Sequence, residues 1–91
     1  MTLRHRCTLP TYYFHIRHAD YVIRDHEGRD FVDREAAREE AVDDLWELLI
    51  HALLRRGQDI PLGIDIYDED GALAAQVNVD ASIPDLVRRL P

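Results

Sequence analysis

Four side chains near the start of the chain, His5, Cys7, His15 and His18, are of the types that hold zinc through nitrogen and sulfur. Zinc requires ligands that converge. On a regular strand positions 15 and 18 point to opposite faces, and the arginine-rich stretch before them has no pattern that would fix His5 and Cys7. His15 therefore reads as a residue on the exposed face of a strand. The run Asp68-Glu69-Asp70-Gly71 gathers three carboxylates and invites a calcium reading. An EF-hand places acids five, three and one residues before its glycine, whereas here the first of those positions is Ile66 and that of the bidentate glutamate is Val77. A charged hairpin tip accounts for the run, and the expectation is that the protein uses neither a metal nor a cofactor. Thermal unfolding should then have the same midpoint with and without a chelator. A fall of several degrees, about what the loss of ~1 kcal/mol causes in a domain this small, would contradict that expectation.

Nucleophiles are equally unsupported. Cys7 stands in the unpatterned start and Ser82 has no base suggested nearby. Glu47 and His51, one helical turn apart, could form a carboxylate-oriented base, but the same spacing is an ordinary favourable contact near a helix C-terminus. All eleven basic residues are arginine, which removes Schiff-base chemistry and the lysine of a phosphate-binding loop. No catalytic residue is assigned, and the protein is expected not to be an enzyme.

The features that remain are surfaces. Glu39, Glu40, Asp43, Asp44 and Glu47 repel one another at i,i+3 and i,i+4 spacing, which weakens a helix by a few tenths of a kcal/mol per pair, roughly. Two readings stand: a solvated acidic face that keeps a small protein soluble, or a docking surface for a basic protein centred on Glu40, Asp43, Asp44 and Glu47. Trp46, Ile50 and Leu54 follow one another at i,i+4 along the edge between the core side and that stripe, and Ile50 and Leu54 should fall outside the arc that a helix buries on one small sheet. Their cover is either the C-terminal stretch with Ile83, Leu86, Val87 and Leu90 or a second copy of the chain. The second implies a homodimer.

Composition narrows the partners. The 91 residues fit one domain, and 46% apolar with 32% charged residues is the balance of an ordinary globule. Eighteen acids against eleven arginines give a formal charge of -7, so direct binding to nucleic acid or to an anionic membrane is not expected. The charge is uneven, because residues 25 to 47 hold ten carboxylates and three arginines. A single cysteine forbids an internal disulfide, no run approaches the ~20 apolar residues of a membrane span, and the first ten residues lack the apolar middle of a secretory signal. The expected location is the cytoplasm.

The elements that must position these residues follow from periodicity. Residues 1 to 10 form an arginine-rich arm without pattern, expected to be flexible, and 11 to 91 a single domain. Tyr12, Phe14 and Ile16 alternate with Tyr13, His15 and Arg17 as in a half-buried strand. His18-Ala19-Asp20 turns the chain into Tyr21 to Arg24, Asp25-His26-Glu27-Gly28 turns it again, and Arg29 to Val32 returns as a short strand. Asp33 is a good N-cap, and Arg55, Arg56 and Gly57 are end signals, so a helix should run from about Arg34 to Arg56. Ala37, Ala41, Val42, Leu45, Leu48, Leu49, Ala52 and Leu53 share its core side. Leu62, Ile64 and Ile66, then Leu73, Ala75, Val77 and Val79, give a second hairpin with one buried face, and Asp80 or Ser82 caps a last turn. The Asp68 to Gly71 turn echoes that from Asp25 to Gly28, either as an internal repeat or because two hairpins need the same turn chemistry. The fold class is α+β, a two-layer ββ(β)αββ arrangement with one long amphipathic helix on a mainly antiparallel sheet.

Tyr13-Phe14-His15-Ile16-Arg17, Asp25-His26-Glu27-Gly28, Glu35-Ala36-Ala37-Arg38-Glu39-Glu40-Ala41 and Asp68-Glu69-Asp70-Gly71 together resemble a family of short bacterial domains of unknown function. The resemblance runs from Thr11 to about Val79 and implies a hairpin, helix, hairpin fold without an activity, cofactor or partner. The Glu-Ala-rich helix after an opening sheet is also similar to small antitoxins with a partial ribonuclease-H-like fold, a likeness that stops at the helix. Two functions follow as expectations. The first is a small acidic, non-enzymatic protein-binding module, homodimeric and acting through the helix edge and its acidic stripe. The alternative is an acidic, antitoxin-like inhibitor that occupies a basic nucleic-acid-binding site on a partner protein.

Overall fold

Strict alternation from Thr11 makes the first strand, and everything else is arranged around it. The computed structural model describes residues 9–80. Strand β1 (Thr11–Arg17) turns Tyr12 and Phe14 into the core with Ile16 half-buried beside them, while Tyr13, His15 and Arg17 take the other face. The antiparallel sheet has the order β2-β1-β4-β5, with β2 (Val22–Ile23), β4 (Gly63–Tyr67) and β5 (Leu73–Asn78); β3 (Arg29–Asp30) also pairs with β1. The helix α1 (Arg34–Leu54) covers one face. The fold is α+β, as the patterning predicts.

The two short strands do not pair with each other. Ile23 lies opposite Ile16 and Arg29 opposite Tyr12, so five residues of one chain face three of the other. They are one edge strand broken by an outward loop, and Asp25 fills the break. Its carboxylate accepts the N–H of Phe14 at 3.1 Å and those of Glu27 and Gly28 at 3.1 Å, while its own N–H donates to His15 Nδ1 at 3.1 Å. The turn after β4 uses related chemistry, with Asp68 accepting the N–H groups of Asp70 and Ala72 at 2.9 Å. That turn closes a true hairpin and the first does not.

Asp33 caps α1 by accepting the Ala36 N–H at 2.8 Å. The helix stops at Leu54, two residues short of the expected end. Gly57 donates to the Ala52 carbonyl at 2.8 Å and Arg56 to that of Leu53 at 3.0 Å, a Schellman closure. Arg56 itself takes the left-handed conformation, with φ 66°. Ala37, Ala41, Val42 and Leu45 are buried in one core with Ile64, Ile66 and Val77, with Trp46, Leu48 and Leu49 partly buried around them; Ala52 is buried further along the helix.

Three expected core residues lie outside. Leu53 is 68% exposed, because the buried side narrows in the last turn to Ala52 alone. Leu73 is exposed because a bulge sets Tyr67 opposite Leu73 but Ile66 opposite Ala75, which turns Leu73 onto the face of Tyr67. Leu62 precedes β4 and is exposed, while its neighbour Pro61 is buried. The expectations for the arm with His5 and Cys7, and for Ser82, Ile83, Leu86, Val87 and Leu90, fall outside the described residues. Among the described residues no helix is long and apolar enough to cross a membrane.

Candidate functional site

The acidic stripe is divided by one arginine. Arg29, on β3, approaches Asp44 at 2.5 Å and Glu40 at 3.6 Å, and its guanidinium lies over the Phe14 ring, 4.6 Å from the centroid. Phe14 is in turn stacked on Phe31 at 5.7 Å. The cation is held between ring and carboxylates, so two of the four stripe residues are engaged in joining the edge strand to the helix. Asp43 and Glu47 are themselves exposed. Nothing in the sequence marks Arg29 as their neighbour, since its partners stand eleven and fifteen positions on.

Asp44 and Glu47 also line a groove of about 570 Å³ between the second half of α1 and the β2 edge. Ile16, Ile23, Leu48 and Pro61 give it an apolar lining, and His51, from the Glu47 and His51 pair, lies on its wall. His18 stacks on Tyr21 at 4.5 Å, and its Nδ1 is shielded from water without a hydrogen-bond partner among the described residues. The Tyr21 hydroxyl donates to Asp59 at 3.4 Å; partial desolvation, followed by the Asp59 and Asp20 charges, raises its pKa. No three His, Cys, Asp or Glu side chains among the described residues converge as metal ligands would.

On the opposite border of the helix, Trp46 is half-buried and packs against the core, whereas Ile50 and Leu54 are exposed. Leu53 joins them, which the wheel alone did not suggest. Ile50, Leu53 and Leu54 are 37%, 68% and 78% exposed, a cluster of large apolar side chains on the last two turns.

The family model for a domain of unknown function, DUF6894, matches residues 11–80, from the first residue of β1 to just beyond β5. The chain belongs to the DUF6894 family. No curated protein and no solved structure matches it. The DUF6894 domain thus comprises the whole sheet and the helix, and every stripe and edge residue described above lies inside it.

Proposed function

We propose that this DUF6894 domain is a protein-binding module that pairs with a second copy of itself through Ile50, Leu53 and Leu54, with Trp46 beneath them, and offers its acidic stripe to a basic protein. The exposed Leu53 and Leu54 carry this reading, because adjacent large apolar side chains in water forgo burial worth several kcal/mol, roughly, which a small domain does not readily spare. Charge supports a second copy as the occupant. Asp43 and Glu47 precede the apolar cluster along the helix and Arg55 and Arg56 follow it, so a two-fold, antiparallel pairing of helix ends sets each acidic end beside the partner's arginines.

The test is the double variant Ile50→Gln, Leu54→Gln. Both positions are exposed, so the variant should keep its far-UV circular dichroism and its Trp46 emission while scattering light as a monomer. A variant that unfolds would place both residues under the chain's own C-terminal stretch and end the proposal.

A further inference from the structure

The sheet face turned away from α1 carries a second concavity. Tyr13 and Tyr67 are direct cross-strand partners there, and the His15 ring lies 5.0 Å from that of Tyr67. Together with residues of the Asp25 loop and the Asp68 turn they line a cleft of about 450 Å³, large enough for a small molecule. Each of its three carboxylates already accepts backbone N–H groups, through both oxygens in Asp25 but through Oδ1 alone in Asp68 and Oε2 alone in Glu69. Asp25 accepts three N–H groups and Asp68 two, while Glu69 accepts the Thr11 N–H at 3.1 Å.

Beside those part-engaged carboxylates the cleft offers a ligand a set of donors and the rings of Tyr13, His15 and Tyr67. Tyr13, Tyr67, Arg24 and His26 line it, and no described residue hydrogen-bonds to their hydroxyls, guanidinium or ring. Because His15 accepts the Asp25 N–H on Nδ1, its neutral ring carries the proton on Nε2, a further donor. Three carboxylates against Arg24 oppose an anion. Donors, ring faces and that field together select a flat, neutral molecule rich in acceptors.

We propose that this cleft binds a neutral, carbonyl-bearing planar heterocycle, of the class of a free pyrimidine base or nucleoside. The site lies on the other side of the sheet from the helix edge and does not depend on pairing of copies.

Uridine is the probe, titrated into the full chain while the ring signals of His15, Tyr13 and Tyr67 are followed by NMR. Saturable shifts with Kd of about 1 mM or below are expected, with Tyr67→Phe, Arg24→Gln weakening binding about tenfold for the donors removed. Arg24 is exposed and Tyr67 loses only its hydroxyl; should the pair of changes disturb the circular dichroism, Arg24→Gln alone should still weaken binding severalfold. Uridine monophosphate and an oligouridylate should bind more weakly than uridine. Absence of shifts at about 10 mM uridine, unchanged affinity in the variants, or tighter binding of the phosphorylated or polymeric form would each overturn the proposal.

Discussion

Replacing Gly63 with alanine should cost the domain about 3 kcal/mol or more, which lowers the unfolding midpoint by roughly 12 °C or more. A Cβ at this position would collide with the carbonyl oxygen of Val77 on the neighbouring strand and would come within 2.7 Å of an Arg17 guanidinium nitrogen and 3.0 Å of Asn78 Oδ1. The two side chains can swing aside only by abandoning the polar network on this face. There Arg17 reaches Asp65 at 3.1 Å and also Asn78, and Gln76 donates to Asp65 at 3.0 Å. The Val77 oxygen cannot move without opening the contact between β4 and β5, and Val77 itself is buried. A domain of 91 residues holds roughly 5 to 14 kcal/mol in all, so this single methyl removes a large part of it. Gly71→Ala is the control. No atom stands within 4 Å of its Cβ and its φ is 84°, so the penalty is conformational alone, about 1 kcal/mol. Thermal melts of the two variants should separate widely; equal midpoints would refute the close-packing account.

Asp25→Ala should cost about 2–3 kcal/mol, far more than most exposed-loop changes. The substitution leaves the Phe14 N–H facing a gap in the edge strand and frees the Glu27 and Gly28 N–H groups. Asp25→Asn should fall between alanine and the wild type. Its one oxygen can serve either Phe14 or the Glu27 and Gly28 pair, and its NH₂ then meets the donors on the other side. Acid should expose the same element. Partial burial pushes the Asp25 carboxyl up, but the N–H groups of Gly28, Phe14 and Glu27, aided by His15, outweigh that and hold it below the ordinary 3.8. Its contribution is present above that value and is lost as pH falls through the lower folded pKa. His15 is held below its ordinary 6.5, first by partial burial and then by the Arg24 charge, against the pull of Asp25 and Asp65. The unfolded chain thus takes up that proton first, and stability begins to decline as pH drops below about 6.5. Denaturant melts across pH should show both losses in the wild type, with the lower one absent from Asp25→Ala. An acid profile unchanged by that substitution would contradict the role given to Asp25.

Local chemistry made most of this fold readable. Tyr12 and Phe14, then Ile64, Ile66 and Val77, reach the core at the positions alternation assigns, and Asp33 caps the helix as its type and place require. The departures arise where a distant partner decides. The bulge that turns Leu73 outward is a property of the β4 and β5 pairing, and the exposure of Leu62 and Leu53 depends on where helix and sheet cease to face each other. Arg24, Arg29 and Tyr13 carry no helical or strand signature that would join them to a site. Arg29 becomes part of the acidic surface because a broken edge strand delivers it to the side of α1, and the break is visible only as Asp25 taking the place of a backbone acceptor. Glu40, Asp43, Asp44 and Glu47 were legible as a stripe, but the hold of Arg29 on Glu40 and Asp44 was not.

Sedimentation equilibrium of the wild-type chain over a wide range of concentration tests the central claim, that the exposed end of α1 is an interface between copies. The account predicts a mass rising to twice the 10.6 kDa of one chain and staying there. A mass that remains at 10.6 kDa at every concentration, with Leu53 and Leu54 still in water, would contradict it.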